Sequence, residues 1–396
     1  MAIIVQKYGG SSVGDVERIR KVAERVAARR AEGHQMVVVV SAMGDTTDEL
    51  LELARKISSD PPRRELDMLL TCGERVSMAL LSMALHQRGV PAISFTGSQS
   101  GIITDDNHSG ARILEVRPVR IREELGRGKV VIVAGFQGVS RQREVTTLGR
   151  GGSDTTAVAL AAALGAEACE ILSDVDGVYS ADPRVVPEAR KLERLDYDTM
   201  QEMAAAGARV LNAQAVEFAR AAGIVLYAGL AHGGGTGTRV TSERVPVRAV
   251  ATDAEVRVLS VPAGALTPVL GWLGERRIPL RLFHITPAAP TVLVVPLQDL
   301  HAVEVFDTTM RAFGAETRPG LGTVSVVGPG VGTDAALVAS LLSEARALGA
   351  TVAGIVASPL QLTLVTETVH LEPLARAVHG LPLKFGTTAA SPDARV

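Results

Sequence analysis

Aromatic residues make up only 3% of this 396-residue chain, and it has just two cysteines. Cys72 and Cys169 have neither metal-ligand nor redox spacing, and this usage fits a reducing cytoplasm. A formal charge of -2 leaves no basic footprint, which excludes nucleic acid as the expected partner. The longest apolar runs, such as Met36 to Val40 and Ala157 to Leu164, fall far short of the roughly 20 residues a membrane span needs. Ala2-Ile3-Ile4-Val5 opens the chain without a basic region or cleavage site, so no signal peptide is expected. Two common nucleotide fingerprints are missing as well. No G-x-x-x-x-G-K-[ST] occurs. Gly149-x-Gly151 and Gly328-x-Gly330 fail as G-x-G-x-x-G because Asp154 and Thr333 hold the last places.

What is present is an ordinary globular composition, 46% hydrophobic and 21% charged, long enough for two or three domains. The chain is organised around Thr147-Leu148-Gly149-Arg150-Gly151-Gly152-Ser153-Asp154, which runs into an Ala- and Leu-rich stretch through Leu164. The second part should be helix, with Ser153 or Asp154 at the N-cap. A capped helix after a flexible turn would account for the pattern. The arginine and the Ser-Asp pair inside the turn favour an anion site at a helix start, where free N–H groups and glycines let an anion approach.

The same device occurs at the N-terminus. Ile3–Gln6 reads as a buried strand, Lys7-Tyr8-Gly9-Gly10-Ser11-Ser12 as a loop, and Val13 to Ala31 as an amphipathic helix. A lysine between a buried strand and two glycines is better explained by phosphate than by solvent. Met36 to Val40 is a continuous apolar run, as in a central parallel strand, and Ser41 to Asp48 is its strand-end loop. A long helical segment, Glu65 to Gln87, carries Glu74. Glu74 either pairs with Arg75 or another neighbour, or holds a substrate ammonium. Further strands are read at Ala92–Phe95, Val130–Ala134 and Ala168–Leu172, and a helix at Arg117–Gly126. Strands alternating with helices through about residue 228 predict α/β with a mainly parallel sheet. After a glycine-rich boundary, two segments offset by about 70 residues share one outline. This predicts a duplicated βαββαβ unit, with second helices at Val303–Phe313 and Leu371–Val378 and a disordered tail at 387–396.

Five motifs then occur in order: Lys7 to Ser12, Ser41 to Thr47, Thr71 to Glu74, Thr147 to Asp154, and Ser173 to Arg184. Over about residues 1 to 225 the chain resembles the aspartate kinases. The resemblance implies an amino-acid-kinase domain over 1–228, a linker at 229–255, and ACT-like units at 256–322 and 323–386. It further implies ATP and Mg²⁺ as cofactors and phosphorylation of the side-chain carboxylate of L-aspartate, the first step toward lysine, threonine and methionine. Carried over by position, Lys7 and Asp154 are catalytic. Thr47, Glu74, Arg150, Gly151, Gly152 and Ser153 hold aspartate. Lys7, Tyr8, Gly9, Gly10, Ser41, Ser173, Asp174, Tyr179, Asp182, Arg184 and Arg209 hold the nucleotide, and no residue is assigned to a protein-held metal. A homodimer through the ACT-like units is expected, with lysine or threonine as effectors.

The chain departs from that pattern at several places. Arg209 stands where the family has a nucleotide-contacting lysine. The family's first effector motifs are replaced by Val261-Pro262-Ala263-Gly264 and His284-Ile285-Thr286, and its second by Val356 to Leu360; these weigh against lysine or threonine feedback. Three other readings stay open: a kinase of the same fold acting on another carboxylate, a non-catalytic ACT-type amino-acid sensor, and an active kinase whose C-terminal half serves only for dimerisation.

Overall fold

The computed structural model describes residues 1–149, 151–276, 278–284, 289–297, 300 and 303–381, with side chains left undescribed at 282–284. Arg150, Ile285, Thr286 and the tail from 387 onward therefore lie outside the described residues. The chain forms two compact units, one of 1–178 with 209–242, the other of 179–208 with 243 onward.

In the first unit the valine-rich runs form the middle of a sheet, because strands buried on both faces need no polar alternation. The strands run in the order Thr238–Thr241, Val225–Leu230, Ala168–Ser173, Ile3–Tyr8, Gln35–Val40, Val130–Ala134, Ala92–Phe95. All neighbours pair in parallel except the first two. Ile4, Tyr8, Met36, Val38 and Val40 pack on one face against Ile19, Val22, Ala23 and Val26 of the helix Val16–Ala31 and Leu81 and Leu85 of the helix Cys72–Gln87. Side chains alternate along a strand. Lys7 therefore points to the other face, where the helix Gly152–Leu164 lies.

Several local readings change. The expected helix from Val13 begins at Val16, capped by Asp15, after a short 3₁₀ turn Gly10–Val13. The Glu65–Gln87 segment is two helices, Arg63–Leu70 and Cys72–Gln87, joined at Thr71, whose own backbone is helical. That run has the length and hydropathy to cross a membrane, yet it buries Asp67 and Glu74. A second sheet, absent from the sequence reading, pairs Ile113–Val116, Ile102–Thr104, Gln137–Ser140 and Val145–Thr147 in that order. Its strands are only three or four residues long, too short for periodicity to register.

In the second unit, Val256–Val261, Ala263–Glu275, Leu282–His284, Thr291–Pro296, Val303–Ala312 and Glu316–Arg318 make one βαββαβ module. Its strand order, 2-3-1-4 in its own numbering, follows from the sheet Leu282–His284, Thr291–Pro296, Val256–Val261, Glu316–Arg318. The other module has Leu321–Val327, Ala335–Ala347, Gly354–Ser358, Gln361–Glu367 and Leu371–Gly380, and takes Ala249–Asp253 as its fourth strand. That strand comes from the stretch read as linker, so the first module is threaded into the second. These two antiparallel sheets agree with the expected ACT-type architecture.

Candidate active site

Parallel strands put all their carboxyl ends on one edge, where open α/β sheets bind ligands. Tyr8 is in register with Val40 and Leu172, and Val40 with Ala134. Gly9, Ser41, Gly135 and Ser173 therefore leave the sheet side by side. Ser41 N donates to Tyr8 O at 3.1 Å, and Gly9 N to Leu172 O at 3.2 Å. The Tyr8 ring is fully buried, with its hydroxyl donating to Gln6 Oε1 at 3.0 Å, so it offers a ligand only its backbone.

Two glycine loops meet above this edge. A Cβ on Gly10 would lie 3.0 Å from Ala42 O and 3.1 Å from Gly44 O, so the first loop and the 41–44 loop close on each other only without a side chain. One built on Gly9 would sit 3.6 Å from Lys7 Nζ, which places the ammonium over the glycines. Lys7 Nζ lies 2.6 Å from Asp154 Oδ1, with both side chains almost buried.

The second loop differs from expectation at its cap. Gly151, with φ 69°, is the N-cap of the helix Gly152–Leu164, while Ser153 and Asp154 lie inside the first turn. Left-handed backbone suits glycine rather than serine or aspartate. A Cβ on Gly151 would also stand 2.1 Å from Asn212 Nδ2. Asn212 caps the helix Ala213–Ala222, accepting from Gln214 N at 2.9 Å and Ala215 N at 3.2 Å. Gly151→Ala should therefore strain the turn and displace that cap, costing about 2 kcal/mol. A urea midpoint equal to wild type would contradict this packing. Ser153 packs on Gly135, where a Cβ would come within 2.8 Å of Ser153 Cβ.

Glu74 sits in the first turn of Cys72–Gln87 and is 3% exposed. One carboxylate oxygen accepts from Ala42 N at 3.2 Å, and the other is buried with no partner. Burial raises its pKa to about 7, opposed by backbone hydrogen bonds. No arginine pairing of Glu74 is seen among the described residues. Thr47 is half-buried in the first turn of the helix Thr46–Ile57. Ser173 ends its strand and Asp174 follows it, both in the first unit, and the exposed Arg209 belongs to that unit too. Tyr179, Asp182 and Arg184 belong to the second. Arg184 donates from Nη2 to Asp182 at 2.7 Å and holds that carboxyl below its usual range. Among the described residues no cluster of three His, Cys, Asp or Glu side chains could hold a metal.

The site thus joins a cationic, glycine-lined edge to a buried, half-satisfied carboxylate. Residues 2–227 match the family model described as the amino acid kinase family. The aspartokinase of Thermus thermophilus is 44% identical over 96% of this chain and 98% of its own length. That of Corynebacterium glutamicum is 43% identical over 96% of each. The chain belongs to the aspartokinase family. The crystal structure of E. coli aspartokinase III in complex with aspartate and ADP shares the fold, with a TM-score of 0.83 at 23% identity, covering 95% of this chain and 99% of that one. Placed within the aspartokinases, the chain keeps the family's amino-acid-kinase fold as read from the five motifs. Sequence reasoning missed Asp67, the carboxylate beneath the second glycine loop, because an acid in Arg-Arg-Glu-Leu-Asp-Met-Leu-Leu reads as a solvated helix face.

Proposed function

We propose that this chain transfers the γ-phosphoryl group of MgATP to the side-chain carboxylate of L-aspartate. The observation that carries the reading is the Lys7–Asp154 pair set over Gly9 at the carboxyl edge, in a chain of the aspartokinase family. A free side-chain carboxylate with a pKa near 3.9 is ionised at neutral pH, so no general base is required. One carboxylate oxygen attacks the γ-phosphorus, the bond to the β–γ bridging oxygen breaks, and ADP leaves with that electron pair. No proton is transferred. Two anions must meet, so the work is positioning and charge neutralisation.

Lys7 and the amides of Gly9 and Gly10 neutralise the phosphates, and Asp154 holds Lys7 in place. The glycine cradle fits phosphoryl oxygens because a side chain there would fill it. Mg²⁺ arrives on the nucleotide as part of the substrate. Glu74 takes the substrate ammonium with its unpartnered oxygen. Thr47, Arg150, Gly151, Gly152 and Ser153 are assigned to the rest of aspartate; Ser41, Ser173, Asp174 and Arg209, all of the first unit, to the nucleotide. ADP release should depend on aspartate and hardly respond to glutamate. A preference for glutamate, acetylglutamate or carbamate would overturn the assignment.

The second unit is assigned a regulatory and dimer-forming role. A concavity of about 510 Å³ there is lined by Glu316, Arg318, Thr351 and Glu367, among others. Hydrogen bonding, first from Thr351, lowers the Glu367 pKa to about 2. Two carboxylates and a guanidinium suit an amino-acid zwitterion. Although the family's effector motifs are replaced in this chain, that lining predicts heat with at least one of lysine and threonine in calorimetry, alone or together; silence from every combination would leave a dimerisation role alone.

A further inference from the structure

The geometry points to Asp67 as a positioning residue that fixes the aspartate half of the site; this inference rests on the function proposed above. Asp67 is fully buried in the helix Arg63–Leu70. Its carboxylate meets an unusual set of partners. Thr147 donates from Oγ1 at 2.6 Å and from its backbone N at 3.2 Å. Ser109 N donates to both oxygens, at 3.0 and 3.1 Å, and Ser109 Oγ to one at 3.3 Å. His108 Nδ1 lies 2.8 Å away. A buried carboxylate is costly unless paired and hydrogen-bonded, and here the donors come from far along the chain.

What these donors belong to gives the arrangement its meaning. Thr147 ends its strand two residues before Gly149. A Cβ on Gly149 would meet Ser109 O at 3.5 Å, and Ser109 itself holds a left-handed φ of 65°. Asp67 thus pins the strand from which the second glycine loop departs and the 108–109 turn that packs beside that loop. In the other direction, its helix runs through the helical backbone of Thr71 into the helix bearing Glu74. Seven residues along a helix is about two turns, so the two carboxylates share a face. One side chain therefore sets the spacing between the glycine loop and the ammonium-binding carboxylate. Among the described residues its hydrogen bonds go to His108, Ser109 and Thr147, and none reaches the strand bearing Lys7.

Asp67→Asn keeps the volume but turns an NH₂ toward backbone N–H donors. The expected result is a KM for aspartate raised about tenfold or more, with the KM for ATP within about twofold of wild type. Thr147→Val removes one donor and leaves the Asp67 side chain itself unaltered. It should shift the same KM in the same direction by a smaller factor, and it decides the matter should Asp67→Asn not fold. Unchanged KM for aspartate in the folded variants, or equal rises in both KM values, overturns the positioning role. A wild-type chain with no aspartate-dependent ADP release refutes the proposed function itself, and this inference with it.

Discussion

Lys7→Ala should lower kcat by at least about 10²- to 10³-fold, the loss seen when one preorganised charge-stabilising group is removed. Lys7 Nζ is the cation set over Gly9, 2.6 Å from Asp154, and among the described residues no other lysine stands at this strand end. The substitution also leaves Asp154 nearly buried without its partner, and breaking such a pair is destabilising. The two effects separate in a double variant. Adding Asp154→Asn to Lys7→Ala removes the orphaned charge and should recover thermal stability while turnover stays low. Turnover near wild type in Lys7→Ala would contradict the phosphate role. Recovery of turnover together with stability would reduce Lys7 to a structural partner of Asp154.

Glu74→Gln carries the second large effect, and it separates binding from stability. Glu74 has an ordinary pKa of 4.5 unfolded and about 7 folded, because burial disfavours its charged form. The folded chain therefore holds this proton more tightly than the unfolded one. Its stabilising contribution is full below about pH 4.5 and is lost as pH rises through about 7. Glutamine cannot ionise. The variant should match wild type in acid and exceed it by up to about 3 kcal/mol above neutrality. Aspartate binding should move the opposite way. Ionised Glu74 pairs with the substrate ammonium, so the wild-type KM for aspartate should fall as pH rises through about 7. Losing that charge should raise it roughly 100-fold. A variant with an ordinary KM, or with no pH-dependent gap in stability, would contradict the assignment.

The sequence announced the parts of this site that are built from local rules. Continuous valine runs mark strands buried on both faces, and Lys7-Tyr8-Gly9-Gly10 shows its phosphate cradle because glycine and lysine leave few other uses at a strand end. Caps were less legible. Ser153 and Asp154 are good N-cap residues by type, yet the left-handed turn needed the residue without a Cβ, and Asn212, about 60 residues on, closed the space around Gly151. Elements defined by long-range pairing left no local trace. Ala249–Asp253 looks like linker until Leu321–Val327 pairs with it, and the short strands between 102 and 147 gain their identity only from one another. Asp67 is the clearest case: its donors lie 41 to 80 residues away.

Aspartate labelled with oxygen-18 in its side-chain carboxylate tests the central step most directly. Incubated with MgATP and this chain, and with the product cleaved by hydroxylamine at the carbonyl carbon, the released phosphate should carry one labelled oxygen by phosphorus NMR. Label-free phosphate accompanying ADP release would mean that the carboxylate never attacked phosphorus.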